Sequence, residues 1–218
     1  MKRIQIIICL LALLLWQQGG LAESALPEPG ASLYVLDAAD VLSPQTEAWL
    51  DTVGAELDRL CGAQFAVVTV RSTGGEPIDA YALALANAWA LGDAEKNNGF
   101  LLLLAIDDDD YYAVPGSGIM DAFPNSEILG LLMTCLEPEF VTKDYDEGVR
   151  RIAPEIARKL ASIYGCEAAM EPLLAAPAAA PAAEPGVPAA QSPGGTSAAA
   201  RGFSLLTALL TLFALLIG

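Results

Sequence analysis

Asp37, Asp40, Asn98, Asp121 and Asn125 are the residues of this chain best suited to holding a metal ion. Each offers a carboxylate or amide oxygen, and such hard donors suit calcium or magnesium rather than a transition metal. Their spacing matches no contiguous calcium loop, so an ion would have to be held by residues brought together from distant parts of the chain. The chain contains 218 residues and no histidine, which excludes Ser-His-Asp and Cys-His catalysis, imidazole zinc sites and a histidine pH switch. The acidic run Asp107–Asp110 is read as a solvated hairpin reversal. Consecutive side chains there cannot converge on one ion, and their charge discourages pairing at a sheet edge. Gly116-Ser117-Gly118 could cradle an anion with backbone amides, but no lysine follows it and it opens no strong helix, so a plain turn is the simpler reading.

The elements that must position these residues can be read from apolar periodicity. Gly99–Ile106 is continuously apolar, too short to span a bilayer, and stops at the four acids, as a strand buried on both faces would. Tyr111–Val114 returns as its hairpin partner. Leu33–Leu36 is a short first strand and Phe65–Val70 a central one. Ser43-Pro44 opens a helix with Ser as N-cap and Pro at the first position; Leu50, Val53, Leu57 and Leu60 form its apolar stripe and Gly62 ends it. A second helix starts at Pro77 with Ile78, Tyr81, Leu85 and Trp89 on one face, and closes at Gly92. Asn125 or Ser126 caps a third, carrying Ile128, Leu131, Leu132 and Cys135 and stopping before Pro138. A last helix spans Asp144 to Tyr164, where Pro154 should kink or divide it. Alternating helices and apolar strands imply an α/β fold, a three-layer α/β/α sandwich with a mixed central sheet.

The ends of the chain read differently. Residues 1–22 have a basic start, an apolar stretch and small residues before Glu23, the pattern of a secretory signal peptide. The folded unit is expected over 33–165. Residues 166–202 turn to Ala, Pro, Gly and Ser and read as an extended, disordered linker. Residues 203–217 are apolar and read as a C-terminal transmembrane anchor, although shorter than the usual ~20 residues. The same pattern also describes a removable signal for a lipid anchor. The formal charge is −16 and becomes more negative once Lys2 and Arg3 leave with the signal peptide. Such a surface repels nucleic acid and attracts cations and basic partners. Cys61, Cys135 and Cys166 remain after cleavage, which allows one bridge plus a free thiol, or no bridge. Cys135 falls at a helical core spacing and is read as a small buried hydrophobe.

Tyr34-Val35-Leu36-Asp37-x-Ala39-x-Val41-Leu42-Ser43 resembles the opening signature of the TPM domain family, which includes thylakoid-lumen photosystem repair proteins and bacterial envelope proteins. Gln64–Val70, Tyr81-Ala82, Trp89-x-x-Gly92, Asn98–Leu103 and Gly116-x-Gly118 follow in the family's order, covering about Leu33 to Tyr164. The resemblance implies the same three-layer fold and an extracytoplasmic, membrane-tethered placement in the cell envelope. It also implies a role as an accessory or maintenance factor for a membrane protein complex, with calcium binding and a weak divalent-metal-dependent phosphatase activity associated with some members. The chain departs from the family where Asn97 replaces the usual Asp before Asn-Gly, and where Asn125 stands near a position usually acidic. The expected function is a binding module with an unidentified protein partner, attached to the membrane by its C-terminal helix and able to take calcium; a metal-assisted phosphatase is the alternative.

Overall fold

The computed structural model describes residues 26–175. The leader at 1–22, the apolar tail at 203–217 and the linker beyond Ala175 lie outside the described residues. Within them the strands are β1 (Val35–Asp37), β2 (Gln64–Val70), β3 (Gly99–Ala105) and β4 (Asp110–Pro115). The helices are α1 (Pro44–Cys61), α2 (Ile78–Ala88), α3 (Asn125–Leu131), α4 (Glu137–Val141), α5 (Tyr145–Tyr164) and α6 (Glu167–Leu174). The strands form one mixed sheet in the order β1-β2-β3-β4, parallel except for the β3–β4 hairpin.

The two central strands explain the layers. Successive strand side chains point to opposite faces. Phe65, Val67, Phe100, Leu102 and Leu104 therefore enter one core with α1, α5 and α6. Ala66, Val68, Val70, Leu101, Leu103 and Ala105 enter a second core under α2, against Tyr81, Leu85 and Trp89. Every residue of β3 is buried, which accounts for its unbroken apolar sequence. Full burial of one such leucine is worth about 2 kcal/mol.

The first helix forms as its sequence dictates. The Ser43 side chain accepts from the Thr46 N–H, Pro44 occupies the first turn, and Gly62 at φ 66° closes the helix by donating to the Asp58 carbonyl at 2.7 Å. Leu50, Val53 and Leu57 are buried as expected, whereas Leu60 is 37% exposed.

Three local expectations need correction. The third helix does not stop before Pro138: it widens into a π-helical turn at Leu132–Leu136 and continues as α4. Pro138 falls in the first turn of α4, where its missing N–H is tolerated. The Thr134 carbonyl, four residues earlier, accepts from the Arg151 guanidinium at 3.5 Å. Asn125 and Ser126 do not cap α3; Pro124 precedes it, and its carbonyl accepts from the Glu127 and Ile128 amides. Pro154 does not divide α5, which remains one helix of 20 residues with Ile152, Ala153, Ile156, Ala157 and Leu160 buried. That packing outweighs one lost backbone bond.

The domain also runs past Gly165. Cys166 is bonded to Cys61 in a disulfide, and α6 follows with Met170 and Leu174 buried. The Trp49 indole donates to the Leu173 carbonyl at 3.3 Å. The Ala-rich composition conceals this helix, because its apolar stripe lasts little more than one turn. The remaining cysteine among the described residues, Cys135, is free and partly buried.

Candidate functional site

The carboxyl ends of the parallel strands form one edge of the sheet, the edge where open α/β sheets place their ligands. Asp37 closes β1 there. Its Oδ2 accepts from the Val41 amide at 2.8 Å and the Leu42 amide at 2.7 Å, and its Oδ1 accepts from the Thr69 hydroxyl. Asp37 thus holds the turn leading into α1, and Asp40 sits in that turn with φ 58°. Thr69 is fully buried and carries the one hydroxyl of β2, which also accepts from the Ala39 amide at 3.2 Å.

Glu47, on the first turn of α1, faces the same edge. Burial, then the like charges of Asp37 and Asp40, push its carboxyl above the ordinary range. Further along, Asp108 accepts from the Ser72 hydroxyl and the Thr73 amide, each at 2.7 Å, and so bolts the β3–β4 hairpin to the loop after β2. Those bonds, the Thr73 amide foremost, hold its carboxyl below the usual range. An open hollow of about 300 Å³ lies here, between Thr73, Glu76, Ile78, Asp108 and Asp110.

Asn98, Asp121 and Asn125 stand elsewhere. Asn98 precedes Gly99, which pairs with Gln64 at the amino end of β2, while Asp37 pairs with Thr69 near its carboxyl end. Five residues of strand separate the two levels, about 16 Å at ~3.3 Å per residue. The β4 strand runs back to the amino edge, where Gly116 donates to the Gly99 carbonyl at 2.7 Å, so the loop carrying Asp121 and the start of α3 at Asn125 belong to that edge. The five expected ligands therefore do not form one cation site. Among the described residues, no group of three or more acids, cysteines or histidines is arranged to hold a metal. The expected calcium set does not fit as a unit.

Asn98 has a structural task instead. Fully buried, it accepts from the Asp93 amide at 2.9 Å and donates to the Gly62 carbonyl at 2.7 Å. It thereby ties the approach to β3 to the end of α1. The glycine loop is likewise occupied by backbone. Gly118 donates to the Asn97 carbonyl at 2.9 Å, and a Cβ at Gly118 would fall 1.7 Å from the Lys96 carbonyl oxygen. The Gly116 and Gly118 amides are thus bonded within the chain, and the two glycines serve close packing of backbone on backbone.

Glu47, Asp51 and Thr69 matter to the carboxyl edge and its flank but stand out weakly in sequence. Thr69 carried the clearest signal, a lone hydroxyl in an apolar strand.

The TPM domain family matches residues 35–159, more than half of the chain. Among solved structures, the N-terminal domain of a protein from P. gingivalis is 26% identical, with a TM-score of 0.56, covering 61% of this chain and 84% of that one. A protein from the psychrophilic bacterium Bizionia argentinensis is 14% identical, with a TM-score of 0.49, covering 57% of this chain and 85% of that one. The N-terminal domain of a Corynebacterium glutamicum protein is 15% identical, with a TM-score of 0.45, covering 63% and 83% respectively. No curated protein matches.

Proposed function

The chain belongs to the TPM domain family, and from that premise we propose that it is an extracytoplasmic, membrane-tethered binding module serving as an accessory factor for a membrane protein complex. The observation that carries this reading is the Cys61–Cys166 disulfide, which joins positions 105 residues apart and fastens the helix that closes the domain. Structural bridges of this kind form and persist in oxidising compartments outside the cytoplasm. The secretory pattern at residues 1–22 and the apolar tail at 203–217 agree with that placement.

The surface suits binding. The carboxyl edge carries Asp37, Asp40, Glu47 and Asp107–Asp110, and such a field attracts basic protein surfaces and repels nucleic acid. Cross-linking in intact membranes tests the role. The full chain should give a discrete adduct with one membrane protein, absent when only the linker and tail are present. Identical adducts from both would overturn the proposal.

A further inference from the structure

We propose that the outer edge of β1, with the groove beside it, binds an extended protein segment bearing basic side chains at alternate positions and adds it to the sheet as a further strand. This rests on the binding-module reading and names the surface and the partner chemistry.

The phase of β1 exposes its backbone. Val67 donates to the Tyr34 carbonyl and Ala38 donates to the Thr69 carbonyl, each at 3.0 Å. Tyr34, Leu36 and Ala38 therefore turn their backbone groups toward β2, and Val35 and Asp37 turn theirs away. In the described sheet β1 is a terminal strand, so these groups face no neighbouring strand.

The opposite edge is blunted. The Gly116–Gly99 bond sets the phase of β4, so the outward N–H positions are 111, 113 and 115. The Tyr111 amide is taken by the Asp110 carboxylate at 2.8 Å, and Pro115 has no N–H. These devices guard an edge against pairing. The β1 edge carries neither of them.

A groove of about 360 Å³ runs along β1, lined by Ser32, Val35, Asp37, Glu47 and Asp51, with no lysine or arginine in its wall. Glu47 and Asp51 lie one turn apart on α1, a like-charge spacing that weakens a helix in isolation. The Asp37 carboxylate is engaged with Thr69 and the turn amides, and the Asp51 carboxylate with the Ser32 hydroxyl, so both are fixed at the wall. An incoming cation relieves this repulsion.

Strand geometry sets the pattern. Val35 packs with the α1-side core and Leu36 with the α2-side core. In a strand docked on β1, every second side chain points to the α1 face, toward Asp37, Glu47 and Asp51. Lysine or arginine at those positions meets the acids, while the intervening positions pass over the other face. The three residues of β1 accommodate a short segment.

The test uses the full chain in a non-ionic detergent and three labelled peptides of equal composition: alternating lysine and threonine, lysines clustered at one end, and the alternating peptide N-methylated on the amides that would face β1. Fluorescence anisotropy should show saturable binding of the first, with the other two at least tenfold weaker. The Glu47→Gln/Asp51→Asn double variant, checked for folding by its melting curve, should bind the first peptide at least tenfold more weakly. Equal binding of all three peptides, equal binding by wild type and variant, or no binding would each overturn the proposal. Membrane cross-linking of the double variant separates this failure from that of the module reading: a persisting adduct rejects only the groove, whereas loss of the adduct in wild type as well rejects both.

Discussion

Cys166 lies 6.1 Å from Cys61, measured between Cα atoms, so the end of α1 is tied to the start of the helix that closes the domain. The bridge spans 105 residues, a loop long enough for cross-linking to restrict the unfolded chain considerably. Cys166→Ser should lower stability by about 2–4 kcal/mol in urea unfolding. Because the Trp49 indole rests on the Leu173 carbonyl, its fluorescence should also report the loosening of α6. An unchanged urea midpoint would show that α6 is held without help from the bridge.

Glu47 gives a pH prediction. Its carboxyl is raised by burial first and by Asp37 and Asp40 next, so the native state holds this proton more tightly than the unfolded chain. Between the unfolded and native pKa values the native state binds more protons, and stability falls as pH rises through that window. Above the window the charged Glu47 is a continuing burden on the native state. Glu47→Gln should therefore raise the melting midpoint at neutral pH, with the gain shrinking toward about pH 4, near the ordinary glutamate value. A gain that persisted undiminished in acid would contradict this assignment.

Asn98 separates a structural amide from a ligand. Asn98→Asp exchanges the donor that serves the Gly62 carbonyl for an acceptor and buries a charge. Loss of one partner from a buried pair costs about 1–3 kcal/mol. Denaturant unfolding should show a loss at least that large, and millimolar calcium should not restore it. Restoration by calcium would return Asn98 to a ligand role.

Gly54 meets Tyr34 across the α1–β1 packing. A Cβ there would stand 2.4 Å from the Tyr34 Cβ and Cγ, although alanine is the better helix former. The Tyr34 ring is held by its hydroxyl, which donates to Asp58 at 2.8 Å; burial, with that bond next, pushes its pKa up to about 12. Gly54→Ala should thus destabilise by about 1–3 kcal/mol, the usual range for overpacking. A stabilised variant would mean that Tyr34 moves aside freely.

The sheet was legible because β3 is apolar without interruption and β2 nearly so, and α1 because Ser43, Pro44 and Gly62 are explicit start and stop signals. The π-helical turn was not. The Thr134 carbonyl, left without a helical donor by Pro138, is met by Arg151, a partner distant in sequence. Nor was α6, whose short stripe gains its meaning only from Trp49 and the bridge to Cys61. The five oxygen donors were individually visible, but their grouping was a matter of strand register. Asp37 and Asn98 fall at opposite ends of the parallel strands, and residue types alone carry no such information.

The state of the cysteines tests most directly whether this domain works outside the cytoplasm. The protein should be isolated from its source cells with thiols trapped at lysis, and its alkylated cysteines located by mass spectrometry. The prediction is that Cys135 alone in the folded domain is alkylated before reduction, while Cys61 and Cys166 react only afterwards. Full alkylation of Cys61 and Cys166 without reductant would contradict the extracytoplasmic placement and the binding role proposed with it.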